Sequence, residues 1–159
     1  MRPRAILFVC LGNICRSPVA EGVFRQTLQS HLPEESAQWL IDSAGTSDHH
    51  QGDHPDLRSM AHAASQGLDI SMLKSRPFTA EDFQRFDHIL VMDDSNLSNV
   101  LSLASSDADR SKVSLMLEVS FPGENRQVPD PYYGGDQGFQ VAYDLLTQAS
   151  TDWLSQWQN

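Results

Sequence analysis

A chain of 159 residues, 40% apolar and 20% charged, has enough material for one hydrophobic core, so a single domain over 1–159 is expected. Its formal net charge of −10 argues against broad attraction to nucleic acid or to an anionic membrane surface. Any anion it binds must be gripped by a local cluster of donors inside a negative molecule.

The start of the chain imitates a secretion signal, with Arg2 and Arg4 ahead of an apolar run. Asn13, Cys15 and Arg16 follow at once, with no small-residue cleavage site, and no apolar run approaches the ~18 residues of a membrane span. The two cysteines therefore read as reduced thiols of a cytoplasmic protein, not as a disulfide framework.

Ala5–Cys10 (AILFVC) is a continuous apolar run, the pattern of a strand buried on both faces. Leu11–Ser17 interrupts it with Gly12 and Asn13. Ser17 then reads as a helix cap and Pro18 as the first helical residue, with Val19, Ala20, Val23, Phe24 and Leu28 on one face. Trp39–Ile41 suggests a short strand ending at Ser43-Ala44-Gly45. Asp56–Gln66 reads as a helix with Gly67 just past its end. Thr79–Asp82 resembles a capping box with Asp in place of Glu, opening a brief helix through Phe86. His88–Met92 is a second buried strand pattern, followed by a helix over Asn96–Ala104, and Val113–Leu117 is a fourth strand. Asp136 is a candidate cap for a long final helix striped by Phe139, Ala142, Leu146, Ala149, Trp153 and Trp157. Strands alternating with helices predict an α/β fold with a parallel sheet covered on both faces. Ligands of such sheets bind beyond the carboxyl ends of the strands, which singles out the loop after the first one.

That loop, Cys10-Leu11-Gly12-Asn13-Ile14-Cys15-Arg16-Ser17, suits a bound phosphoryl group part by part. A loop entering a helix can turn its amides inward as an anion nest backed by the helix dipole. Gly12 permits unusual backbone angles and close approach. Arg16 can grip two phosphate oxygens with its planar guanidinium. Cys10, at the base of this field, would be held as a thiolate able to attack phosphorus, and Ser17 could donate a hydrogen bond to its sulfur. Taken alone, Cys10 could equally be a small buried hydrophobe. Its place between a strand and a helix opened by Ser-Pro favours the chemical reading, whereas Cys15 divides evenly between the two.

The stretch VCLGNICRSPVAE resembles the signature of the low-molecular-weight protein tyrosine phosphatases. Asp42-Ser43-Ala44-Gly45-Thr46, Val91-Met92-Asp93 and Asp130-Pro131-Tyr132-Tyr133-Gly134-Gly135 extend the likeness over nearly the whole chain. The resemblance implies a flavodoxin-like, three-layer fold with a four-stranded parallel sheet flanked by helices. It implies phosphotyrosine hydrolysis through a phosphocysteine on Cys10, no metal and no organic cofactor. It further implies that Asp130 is the general acid and base. Leu11, Gly12, Asn13, Ile14, Cys15 and Ser17 would contact substrate along the loop. Tyr132 and Tyr133 would flank the substrate ring, and His49 would stand where relatives carry an aromatic wall. Asn13 and Ser43 would brace the loop, and Asp93 would orient Arg16 unless it only caps a helix. A bracing histidine usual near Ser71–Arg76 is missing from this chain, leaving Ser71 or Ser75 to replace it. The implied partners are phosphotyrosine-bearing proteins, with a tyrosine kinase as a candidate.

His49, His50 and His54 with Asp48 and Asp53 could be weighed as a metal site, but a solvated polar loop explains them better. Three other functions remain in competition. Arsenate reduction needs further cysteines distant from the loop, and none exists. Arginine phosphatases of the same fold resemble this chain except for a threonine where Ile14 stands. A non-catalytic phosphopeptide-binding module would need neither Cys10 nor Asp130.

Overall fold

A computed structural model describes residues 2–131 and 135–158. Four strands form one parallel sheet: β1 (Ala5–Cys10), β2 (Leu40–Gly45), β3 (His88–Val91) and β4 (Val113–Leu115). Their order in the sheet is β2-β1-β3-β4, so β1 is central and its carboxyl end opens between two neighbours. The helices are α1 (Arg16–His31), α2 (Leu57–Ser65), α3 (Asp82–Arg85), α4 (Asp94–Leu101), α5 (Asp107–Ser111) and α6 (Asp136–Gln158). The α/β, flavodoxin-like reading holds.

Because strand side chains alternate between faces, β1 supplies both cores. Ile6, Phe8 and Cys10 face a core shared with α1 and α6, while Leu7 and Val9 face the core containing Phe83, Phe86 and Val100. On the first side Phe24 of α1 packs against Phe8, Trp39 and Trp157, with ring centroids 5.7–6.1 Å apart. The buried Trp153 indole N–H donates to the Met116 carbonyl at 2.8 Å, which satisfies a donor that burial would otherwise strand. No helix among the described residues is long and apolar enough to cross a membrane.

Several boundaries differ from expectation. The Ser17 cap is not used: α1 begins at Arg16, with Cys15 at the cap position and no side-chain cap. Pro18 still lies in the first turn, where its missing amide costs nothing. β2 extends through Gly45 because it pairs residue for residue with all of β1, and Trp39 lies outside it. Helix α4 starts earlier than Asn96, at Asp94, because Asp93 and Asn96 form a reciprocal capping box. β4 stops at Leu115, where Met116–Glu118 turn into a 3-10 helix. The short α5 escaped the sequence reading; Ser106 caps it through the Asp109 amide.

At the far end of β3, His88 stacks on Trp157 with centroids 4.5 Å apart and accepts a hydrogen bond from Arg4 at 3.0 Å. Burial and the Arg4 charge hold its pKa below the ordinary imidazole value. The unfolded chain therefore takes up this proton more readily than the folded one, so stability should decline as pH falls below about 6.5. Melting temperature followed from pH 7.5 to 5.5 should drop less steeply for His88→Gln than for the parent. Parallel slopes would remove His88 as the cause.

Candidate active site

The carboxyl end of β1, the loop after it and the start of α1 enclose a cavity of about 360 Å³. Cys10, Leu11, Gly12, Ile14, Cys15, Arg16, His49 and Asp130 all line it, joined by Ser47 and His50, which sequence reasoning missed. Cys10 is thus buried at the edge of the α1 and α6 core and borders the cavity as well.

The loop is held from outside by its carbonyls. Thr46 and Ser47 amides donate to the carbonyls of Cys10 and Leu11 at 2.9 Å, and the Asp56 amide to that of Ile14 at 2.8 Å. The Ser75 hydroxyl donates to the Gly12 carbonyl at 2.9 Å, and Val19 and Ser59 donate to that of Cys15. With these carbonyls turned outward, the amides of residues 11–15 find no acceptor among the described residues. Amides left over beside a cavity and a helix N-terminus form an anion site.

The loop's left-handed residue is Asn13, at φ 57°, and not Gly12. Asn tolerates this region because its amide can bond locally. Asn13 Nδ2 donates to the hydroxyls of Ser17 at 2.7 Å and Ser43 at 3.0 Å, while its Oδ1 accepts the Arg76 amide at 3.0 Å. Ser43 in turn donates to Glu21 at 2.7 Å, and Arg25 pairs with the same carboxylate. Burial pushes the Glu21 carboxyl up, opposed by the hydrogen bonds from Arg25 and Ser43. Ser75 and the Arg76 backbone therefore occupy the bracing role for which Ser71 was also considered. The Ser71 amide bonds instead to Asp69.

Two side chains fix the cationic wall. Arg16 is buried and donates to Asp93 at 2.8 Å and to the Val128 carbonyl at 2.9 Å. Asp93 combines both roles weighed for it, since its other oxygen accepts the Asn96 amide at the start of α4. Asp130 comes within 3.6 Å of the Arg16 guanidinium, at the terminal nitrogen that Asp93 does not bond. Ser17 Oγ lies 3.1 Å from Cys10 Sγ. This hydroxyl accepts from the Asn13 amide, and its own proton lies between the sulfur at 3.1 Å and the Ala44 carbonyl at 3.4 Å.

Residues 5–159 match the family model described as low molecular weight phosphotyrosine protein phosphatase. The chain belongs to that family. A Schizosaccharomyces pombe relative, described in the same words, is 42% identical over 149 residues, 94% of each chain. A protein tyrosine phosphatase from Entamoeba histolytica, crystallised with Hepes in the active site, superposes with a TM-score of 0.90 at 35% identity, covering 98% of this chain and 97% of its own. A Drosophila arginine phosphatase superposes at 0.87 and 29% identity, covering 97% and 98%. The protein is accordingly a phosphatase, on a backbone frame similar to both tyrosine and arginine phosphatases.

Other features of the phosphatase went unread in its sequence. His50 packs against the loop, and a Cβ on Gly12 would meet its ring at 3.1 Å, so Gly12 serves close approach. Gly45 is tighter still: a Cβ there would sit 2.7 Å from the Leu11 carbonyl oxygen and 3.1 Å from the Gly12 carbonyl carbon. Both contacts are backbone and cannot swing aside. Gly45→Ala should cost roughly 1–3 kcal/mol of stability and lower kcat/KM on p-nitrophenyl phosphate at least tenfold, because the loop itself must move. Denaturant melts and steady-state kinetics check both; an unchanged kcat/KM would show that the contact is relieved elsewhere.

Burial pushes the Cys15 thiol far up, helped by the charges of Asp56, Cys10 and Asp130. Both cysteines are unbridged. His54 bonds to the Leu73 carbonyl and His50 to Asp53, and no group of three or more metal-ligating side chains gathers among the described residues. Tyr132 and Tyr133 lie outside the described residues.

Proposed function

We propose that the protein hydrolyses phosphotyrosine through a phosphocysteine on Cys10. What supports the reading is that Cys10, Arg16 and Asp130 border one cavity whose loop amides lack acceptors among the described residues. The phosphoryl oxygens are held by those amides and by Arg16, itself aimed by Asp93. The Cys10 thiolate attacks phosphorus, the bond to the phenolic oxygen breaks, and Asp130 gives that oxygen a proton. Water then attacks the phosphocysteine, Asp130 takes its proton, and the phosphorus–sulfur bond breaks. Inorganic phosphate leaves and the thiolate returns, steadied by Ser17. Leu11, Ile14 and His49 contact the substrate at the rim, and the flanking of its ring by Tyr132 and Tyr133 is what the family resemblance implies. Substrates are phosphotyrosine-bearing proteins, and a tyrosine kinase is the natural opposing partner. Two buried, unbridged cysteines suit a reducing, cytoplasmic setting.

Turnover of matched phosphotyrosine, phosphoarginine and phosphoserine peptides tests the reading, with Cys10→Ser as control. Phosphotyrosine should dominate: phosphoserine is too short to reach the loop, and Ile14 crowds the arginine phosphatase position. Dominant phosphoarginine turnover would transfer the protein to the arginine branch, and binding without turnover would leave a recognition module.

Cys15 borders the same cavity and, on oxidation of Cys10 to its sulfenic acid, can close a disulfide with release of water. Peroxide inactivation should then be reversed by dithiothreitol in the parent protein and much less in Cys15→Ala. Irreversible loss in the parent would remove Cys15 from this role.

A further inference from the structure

Next to the catalytic cavity, a second and more open groove of about 550 Å³ crosses the approach to α2. The two share Ile14 and His50, so they run together at the rim. Pro55, Leu57 and Met60 continue the apolar wall begun by Ile14. Leu57 is 79% exposed, and Met72, next in sequence to the groove residue Ser71, is 83% exposed. Single exposed apolar residues are ordinary, but an exposed leucine in a groove already walled by Ile14, Pro55 and Met60 marks a contact surface.

The groove also carries one sign of charge. Its carboxylates are Asp53 and Asp56, and none of its lining residues is lysine or arginine. The Asp56 carboxylate caps α2 and pairs with Arg58. Asp53, with 61% of its side chain exposed and His50 Nδ1 at 3.3 Å, carries the outward negative charge. The catalytic cavity differs in offering the Arg16 guanidinium and the loop amides, with Asp130 beside them. A ligand spanning both must be anionic at one point and cationic or apolar beside it.

We propose that this groove binds the polypeptide flanking the phosphotyrosine and selects substrates with lysine or arginine, together with an apolar residue, close to it. A long basic side chain can lay its methylenes along Leu57 and Met60 and bring its cation to Asp53. An acidic flank would meet repulsion from Asp53 within a molecule of net charge −10. The proposal rests on the phosphotyrosine reading of the adjoining cavity.

Phosphotyrosine peptides carrying Lys or Glu singly at each of the three positions on either side, with a constant apolar neighbour, would be compared by kcat/KM, alongside p-nitrophenyl phosphate. At low salt the parent should favour Lys over Glu about fivefold or more at one or more positions, and added salt should shrink the ratio. Asp53→Lys should abolish or invert that preference, and Leu57→Ser should raise KM for the peptides with little change in kcat. Both variants should keep the parent's turnover of p-nitrophenyl phosphate and its melting temperature. Normal turnover with no flank preference, or a preference untouched by either variant, would overturn the groove alone. Failure of the parent to turn over either substrate would overturn the phosphotyrosine reading, and the groove proposal with it.

Discussion

Replacing Cys10 with serine is expected to cut turnover of p-nitrophenyl phosphate by a factor on the order of 10⁴ or more, the scale on which an enzyme feels loss of a covalent nucleophile. Serine preserves shape and burial, but its hydroxyl is a far weaker nucleophile than the cysteine sulfur. The loop carbonyls remain bonded to Thr46, Ser47, Asp56 and Ser75, and Arg16 remains tied to Asp93 and the Val128 carbonyl. Inorganic phosphate, measured by calorimetry, should therefore still bind to Cys10→Ser, and more tightly if thiolate repulsion opposes it in the parent. Activity above a tenth of the parent would remove Cys10 from the nucleophile role. Loss of phosphate binding as well would show that the sulfur shapes the nest.

The second large effect belongs to Asp130. It lines the same cavity as Cys10 and lies 3.6 Å from the Arg16 guanidinium, within reach of a phosphoryl group held there. A tyrosine phenolate is a poor leaving group and needs a proton, whereas a nitrophenolate departs as a stable anion. Asp130→Ala should slow the first-turnover release of tyrosine by roughly 10²–10⁴. First-turnover release of nitrophenol should fall far less. The first turnover is the informative quantity because, on the proposed mechanism, the same carboxylate would also serve the later attack of water and depress steady-state rates for both substrates. Equal losses in the first turnover would exclude proton donation by Asp130.

The two effects act through one geometry that neither residue creates. The Ser17 hydroxyl beside the sulfur is fixed by the Asn13 amide, which donates to it, and by the Ala44 carbonyl at 3.4 Å, which leaves its proton within reach of Cys10 at 3.1 Å. Asn13 is held in turn by Ser43 and by the Arg76 backbone, and Ser43 by the buried Glu21. Such a chain is worth having only if each member is satisfied, since a half-bonded buried network costs more than it returns. Substitutions at Ser43 or Glu21 are accordingly felt at Cys10 without either residue touching substrate.

The opening of the chain was readable because its signals are contiguous. Six apolar residues, then Gly-Asn, then Ser-Pro ahead of a 3.6-residue stripe specify strand, loop and helix from neighbouring positions alone. The same run brought Cys10 and Arg16 to one loop, and the resemblance added Asp130 from 120 residues away. Misreadings came where a side chain had two uses. Ser17 looked like a cap but bonds to Cys10 and Asn13, whereas Asp82 accepts the Thr79 amide as expected and holds Arg76 at 3.0 Å besides. Helix α5 was missed because five residues are too few for a period to show.

By itself the sequence determined the α/β alternation, the anion loop and the residues able to work in it, since backbone preference and side-chain period are properties of adjacent positions. Tertiary structure alone decided that Gly45 must lack a Cβ, that Ser75 and Arg76 brace a loop 63 residues earlier, and that Ser47 and His50 border the cavity. Those facts arise where distant segments close to within van der Waals or hydrogen-bond distance, and no local preference encodes such a meeting.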